Sequence, residues 1–180
     1  MRRTPRPLVG ISSCLAGNNV RYDGTNRFNR PVIEGLSQHV DWIVVCPEAD
    51  AGLGVPRETI HLVGTPEGTR VLTTQTCIDK TDQLRSHSRK EVASLKKKNI
   101  AGFILKARSP SCGKQVPLTL PDGSLFATGQ GIFMRELQRA LPNLPIATEE
   151  ELQTPDSHIQ FLNRIHQYTS PPLTKVPQKG

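Results

Sequence analysis

Three thiols scattered along the chain are the residues best suited to chemistry. Cys14, Cys46 and Cys112 each follow a short apolar run, at 8–13, 41–45 and 101–105. Runs of this kind, bounded by glycine, proline and polar residues, read as buried strands. In an open parallel α/β sheet, ligands bind outside the carboxyl ends of the strands. Three sulfurs delivered to three strand ends would therefore converge on one site.

The intervals between these cysteines match no local metal motif. The paired C-x-x-C knuckles of a zinc ribbon are missing, and so are the local signatures of ferredoxins. Three thiolates at one site suit either a zinc ion with an open fourth position or a [4Fe–4S] cluster with one bare iron. Thiolate-only ligation leans towards iron–sulfur, and a bare iron would act as a Lewis acid on a substrate sulfur. The competing reading makes each cysteine a small buried hydrophobe. Cys77, beside Asp79-Lys80-Thr81, stands at no strand end and is expected to hold no metal.

Several polar residues would surround such a site. Glu48, two positions past Cys46, could activate water or simply form a surface ion pair. Ser109 and Ser111 flank Pro110 in the run Arg108-Ser109-Pro110-Ser111-Cys112-Gly113. They could hydrogen-bond a substrate or a cluster sulfide, or merely cap the turn. Gly129-x-Gly131 opens a helix and could bind an anion through backbone N–H groups. Arg21, Arg57, Lys106, Arg108 and Lys114, all near strand ends, are candidate phosphate contacts.

The elements that must position these residues alternate between strand and helix. Helical periodicity predicts a short helix at 31–39, a long one at 82–98 with Thr81 as its N-cap, one at 131–141 and a last one from Thr154-Pro155. Two short runs, 61–64 and 70–74, read as a hairpin on the sheet's edge. The alternation argues for an α/β fold: a Rossmann-like, mostly parallel sheet with helices on both faces and the site at the C-terminal ends of its strands. Residues 1–169 are read as a single domain and 170–180 as a disordered tail.

The 180 residues carry 23 Lys plus Arg against 16 Asp plus Glu, a net charge of +7. That excess favours an anionic partner such as nucleic acid. It leaves open a second class, a non-enzymatic RNA-binding module with a structural metal site. Aromatics make up only 4%, which supplies a base-stacking platform poorly. The apolar stretch near the start is too short for a signal peptide, and no run approaches a membrane span. A reducing cytoplasm is expected, where free thiols are metal ligands or nucleophiles before they are disulfides.

Four motifs in order resemble the thiouracil desulfidase (TudS) family: Ser12-Ser13-Cys14-Leu15-Ala16-Gly17, Arg21-Tyr22-Asp23-Gly24, Cys46-Pro47-Glu48 with Gly52-Leu53-Gly54-Val55-Pro56-Arg57, and Ser109-Pro110-Ser111-Cys112-Gly113. The resemblance covers roughly residues 8–168. It implies an oxygen-sensitive [4Fe–4S] cluster held by Cys14, Cys46 and Cys112, with Glu48 and Ser109 as catalytic helpers. Arg21, Asp23, Arg108 and Ser111 are expected on the substrate side. The wording Gly54 to Glu58 looks most like relatives fused to a second, helical domain and associated with 4-thiouridine in tRNA. The resemblance thus implies hydrolytic removal of a thiocarbonyl sulfur from a thiolated uracil base, carried by tRNA or, alternatively, as free 2-thiouracil. Val20 stands where many members carry a further cysteine.

Overall fold

The structure, a computed structural model, describes residues 5–169. The expected tail at 170–180 lies outside the described residues. In chain order the elements are β1 (Leu8–Ser12), α1 (Arg30–Leu36), β2 (Asp41–Val45), α2 (Pro47–Asp50), β3 (Ile60–Thr65), β4 (Gly68–Thr73), α3 (Thr81–Lys97), β5 (Gly102–Leu105), β6 (Val116–Thr119), β7 (Leu125–Gly129), α4 (Ile132–Ala140), β8 (Ile146–Thr148) and α5 (Pro155–Thr169).

One sheet has the order β2-β1-β5-β8 and is parallel throughout. Helices cover both of its faces. Val9, Ile11 and Ile104 pack with Val32 and Leu36 of α1 and with Phe161 and Ile165 of α5. Phe103 and Leu105 pack the other way, with Val92 and Leu95 of α3 and with Phe133 and Leu137 of α4. This is why 102–105 reads as an unbroken apolar run: a strand covered on both faces has no polar side. Gly10, between Val9 and Ile11, leaves the space that the Phe103 ring fills.

The hairpin of β3 and β4 belongs to a second sheet, of order β4-β3-β6-β7, and not to the edge of the first. There β3 runs parallel to β6, while β3/β4 and β6/β7 are antiparallel. Its inner face (Ile60, Leu62, Val71 and Val116) packs on Leu84 and Ile132 near the starts of α3 and α4. Thr81 is not the cap of α3 but its first residue, and its hydroxyl accepts the Val71 N–H at 2.9 Å. Among the described residues no helix is long and apolar enough to cross a membrane.

The strand order positions the site. From β1 the chain crosses to β2 on one side, then returns through β5 to the other. A crevice opens where such crossovers diverge, outside the carboxyl ends of the two strands involved. Here those are β1, followed by Ser13-Cys14, and β5, followed by Lys106 to Cys112.

Candidate active site

The cysteine loop after β5 is built by hydrogen bonds to its own backbone and to α4. Ser109 Oγ accepts the N–H groups of Ser111 and Cys112, both at 3.2 Å. Gly113 N donates to Ser109 O at 2.7 Å. The first N–H groups of α4 then close on the loop from the other side. Gly131 N donates to Gly113 O at 2.9 Å, Ile132 N to Pro110 O at 3.2 Å and Phe133 N to Ser111 O at 2.9 Å. The Gly129-x-Gly131 helix start therefore binds the loop's own carbonyls, and the expected anion site is corrected. Glycine at 131 is required by this approach: an added Cβ would lie 2.8 Å from Cys112 N and closer still to the Ser111 carbonyl.

Glu48 lies in α2, whose start after Cys46 is favoured by Pro47 at its first position. Asp50 Oδ2 accepts the Cys46 N–H at 2.9 Å, tying the end of the helix back to its start. The Glu48 carboxylate is held from two directions. Arg57 Nε donates to Oε2 at 3.0 Å, and Nη2 stands 2.8 Å from the same oxygen as an ion pair. Ser111 Oγ donates to Oε1 at 2.7 Å. A carboxylate oxygen has two lone pairs, so Oε1 retains one for a further donor.

These loops enclose a cavity of about 310 Å³, lined by Cys14, Cys112, Glu48, Ser109 and Ser12 among others. Cys46 Sγ approaches the carbonyl of Val20, another lining residue, at 3.8 Å. Burial pushes the Cys14 thiol up to about 11, with the Cys46 sulfur adding to the rise. Burial also raises Cys46. It raises Cys112 too, helped by Glu48, Cys14 and Cys46 and opposed by the Ser12 hydroxyl. Cys112 packs in the core on one face of the sheet and Cys14 against the core on the other, yet both reach the same cavity.

Such thiols stay protonated unless a cationic group at the cavity draws off their protons, as a bound metal does. Among the described residues no three His, Cys, Asp or Glu side chains are spaced to hold a single metal ion. Cys14 and Cys112 line the cavity, while Cys46 is not among its lining residues and reaches the Val20 carbonyl beside it; soft sulfur donors of this kind suit an iron–sulfur group.

Over residues 9–150 the sequence matches the 2-thiouracil desulfurase family. The chain belongs to that family. The matched span contains Cys14, Cys46, Glu48, Arg57, Ser109 and Cys112 and ends before α5. The chain is 30% identical over 150 residues to the uncharacterized protein YbbK of Bacillus subtilis (strain 168), covering 81% of this chain and 97% of that one. It is also similar to the solved structure of a [4Fe-4S]-dependent thiouracil desulfidase, TudS. That match has a TM-score of 0.68 and 25% sequence identity, over 87% of this chain and 97% of the other.

In this desulfurase-family chain the remaining candidates divide into two groups. Arg21 and Arg108 line the cavity, as do Arg57 and Lys106. Each of these four has a carboxylate partner: Asp23, Glu150, Glu48 and Glu149 respectively. Lys114, off the cavity, pairs with Glu151 at 2.7 Å. Arg27 lines the cavity with no ion pair among the described residues. Arg21 Nε is buried 3.5 Å from Asp23 yet makes no hydrogen bond.

Asp23 and Ser111 are not among the lining residues. Asp23 Oδ1 accepts from Thr25 N and Oγ1 at 3.1 and 2.6 Å, holding the 21–25 turn, and Ser111 is buried behind its bond to Glu48. Cys77 is exposed and free. Sequence reasoning did not single out Ser12, which lines the cavity and accepts the Lys106 N–H at 2.9 Å. Its one signal was its place two residues before Cys14, at the end of β1.

Proposed function

We propose that this chain is an iron–sulfur-dependent desulfidase that hydrolyses the thiocarbonyl of a thiolated uracil base to a carbonyl and releases sulfide. One desulfidase domain, working in a reducing cytoplasm, carries the reaction. The observation that bears most weight is the Glu48 carboxylate, fixed by Arg57 and Ser111 on the wall of a cavity that Cys14 and Cys112 also line. The desulfidase TudS, named as [4Fe-4S]-dependent, supports the cofactor.

Cys14, Cys46 and Cys112 would hold the cluster, and an iron left without a protein ligand supplies Lewis-acid polarisation of a thiocarbonyl sulfur. The chain's own residues do the rest. Glu48 accepts a proton at the open lone pair of Oε1 from the water that adds to the ring carbon. Ser109 Oγ already accepts two backbone N–H groups, so its proton is available to donate to the tetrahedral adduct. The C–O bond forms in the addition step, the C–S bond breaks as the adduct collapses to a carbonyl, and the sulfur leaves as hydrogen sulfide with the water's two protons, without net oxidation or reduction.

The base as a small molecule is the substrate that the geometry favours. The five cations expected to contact phosphate are all engaged by the chain's own carboxylates, which leaves Arg27 as the unpaired cation on the cavity wall among the described residues. The second reading, 4-thiouridine presented by tRNA, is favoured by the net charge of +7 and by the Lys96-Lys97-Lys98 end of α3, whose lysines are exposed. A base within tRNA would also have to leave its stack to reach the cavity.

The test is anaerobic reconstitution with iron and sulfide, followed by incubation with 2-thiouracil, 4-thiouridine and thiolated tRNA. Loss of the thiocarbonyl's near-ultraviolet absorbance together with sulfide release is expected. A reconstituted protein that binds RNA but leaves every thiocarbonyl intact would instead be a binding module.

A further inference from the structure

We infer that Arg57 is a positioning residue for desulfidation, holding the Glu48 carboxylate in one orientation through its grip on Oε2. The inference rests on the reading of Glu48 as proton acceptor.

A guanidinium near a strand end looked like a phosphate contact in the sequence. The structure leaves it no such freedom. The Arg57 side chain is only 6% exposed and that of Glu48 14%. Nε donates to Oε2, and Nη2 lies 2.8 Å from the same oxygen in the ion pair. Nη1 donates to Val20 O and to Gly54 O, each at 2.9 Å. The backbone N–H of Arg57 donates to Tyr22 O at 2.8 Å. Four guanidinium contacts and one backbone contact thus tie the 20–22 loop, the 54–57 loop and α2 into one body.

The asymmetry is what gives this a catalytic consequence. With the Arg57 guanidinium on Oε2 and Ser111 on Oε1, the carboxylate cannot exchange its oxygens without breaking both the ion pair and the Ser111 bond. Removing Arg57 leaves Glu48 anchored only through Ser111, free to turn about that bond. A displacement of about 1 Å at a reacting group can cost on the order of 10²-fold in rate. Lysine cannot reproduce the effect, because an ammonium is a point charge on a flexible stem and lacks the planar fork. Arg57 also shares the Val20 carbonyl with Cys46 Sγ. Iron loading must therefore be measured beside the rate.

The experiment is a double-mutant cycle on reconstituted protein, with Arg57→Met and Glu48→Gln alone and together. Each protein is assayed for iron per chain, visible cluster absorption, kcat and KM. Arg57→Met is expected to keep its iron and absorption, to lose about 10²-fold in kcat, and to change KM by no more than about a few-fold. In the Glu48→Gln background, Arg57→Met should add almost nothing. Multiplying losses, or loss of iron with normal kcat per loaded chain, would overturn the proposal. Full kcat in Glu48→Gln is the different outcome in which the proton-acceptor reading itself fails and this inference with it. Should Arg57→Met not fold, Arg57→Lys carries the same cycle, and wild-type kcat in that variant overturns the proposal.

Discussion

Ser111 Oγ donates to Glu48 Oε1 at 2.7 Å, joining the cysteine loop after β5 to the short helix after β2. The bond links two residues 63 positions apart through one carboxylate, so the two loops cannot move independently. Replacing Ser111 by alanine should lower kcat by about tenfold while leaving iron content intact. The scale is that of one neutral-to-charged hydrogen bond, about 1.5 kcal/mol or somewhat more. Steady-state kinetics beside iron analysis reads it.

Glu48→Gln keeps the shape of the side chain and removes its capacity to accept a proton. General base catalysis contributes about 10²–10⁴-fold, and a kcat loss in that range is expected, with cluster absorption unchanged. Ser109→Ala should be milder in rate but costlier to the fold, because Ser109 Oγ accepts two N–H groups of the loop. A lower Tm for Ser109→Ala than for Glu48→Gln is the expected ordering in thermal unfolding.

Much of this arrangement was legible in the sequence, for identifiable reasons. β1, β2 and β5 are short apolar runs with clear punctuation, and the position of a residue just past a strand end follows from counting. The helix-bearing faces followed from periodicity. What was not legible depended on contacts through space. β6 contains Pro117 and β7 is Leu-Phe-Ala-Thr-Gly, exposed along nearly its whole length, so neither shows the alternation of a half-buried strand. The role of Arg57 was hidden because nothing local distinguishes a buried arginine on a carboxylate from a surface one. In the sequence the Gly129-x-Gly131 start reads as free for an anion, because its acceptors, carbonyls at 110–113, lie in the cysteine loop on the far side of β6 and β7.

Gly131→Ala tests the seam between α4 and the cysteine loop. The added methyl meets the Ser111 carbonyl and Cys112 N, and neither backbone group can swing aside. Overpacking of this kind costs roughly 1–3 kcal/mol. A fall in Tm together with weaker iron retention is expected, because the displaced element carries Cys112. An unchanged Tm and unchanged iron content would show that the seam yields without effect.

Glu151 supplies a pH test away from the cavity. Burial would push its carboxyl up, but hydrogen bonds from Lys114 and from Thr148 N, with the Lys114 charge, outweigh this and hold it below its ordinary 4.5. A folded value below the unfolded one means that the unfolded chain takes up the proton more readily. The stabilisation is therefore present above about pH 4.5 and is lost as the pH falls through the folded value. Its size is small, since the Glu151 side chain is about half exposed. Glu151→Gln should flatten the acid limb of Tm against pH and leave the neutral region little changed.

Ionic strength separates the two presentations of the base. A substrate read through phosphates loses affinity steeply as salt rises, with a slope near −0.7 to −0.9 per contact. With its expected phosphate contacts already ion-paired, the site should show a nearly flat dependence of kcat/KM on salt for free thiouracil. A steep dependence for thiolated tRNA, with higher kcat/KM than for the free base, would favour the tRNA reading.

The convergence of three cysteines on one cofactor is tested most directly by iron and acid-labile sulfide per chain after anaerobic reconstitution. Wild type is to be compared with Cys14→Ala, Cys46→Ala, Cys112→Ala and Cys77→Ala. The expected result is about four irons and four sulfides in wild type and Cys77→Ala, the composition of a [4Fe–4S] cluster, with marked loss in each of the other three. Undiminished iron in any of those three, or loss in Cys77→Ala alone, would contradict it.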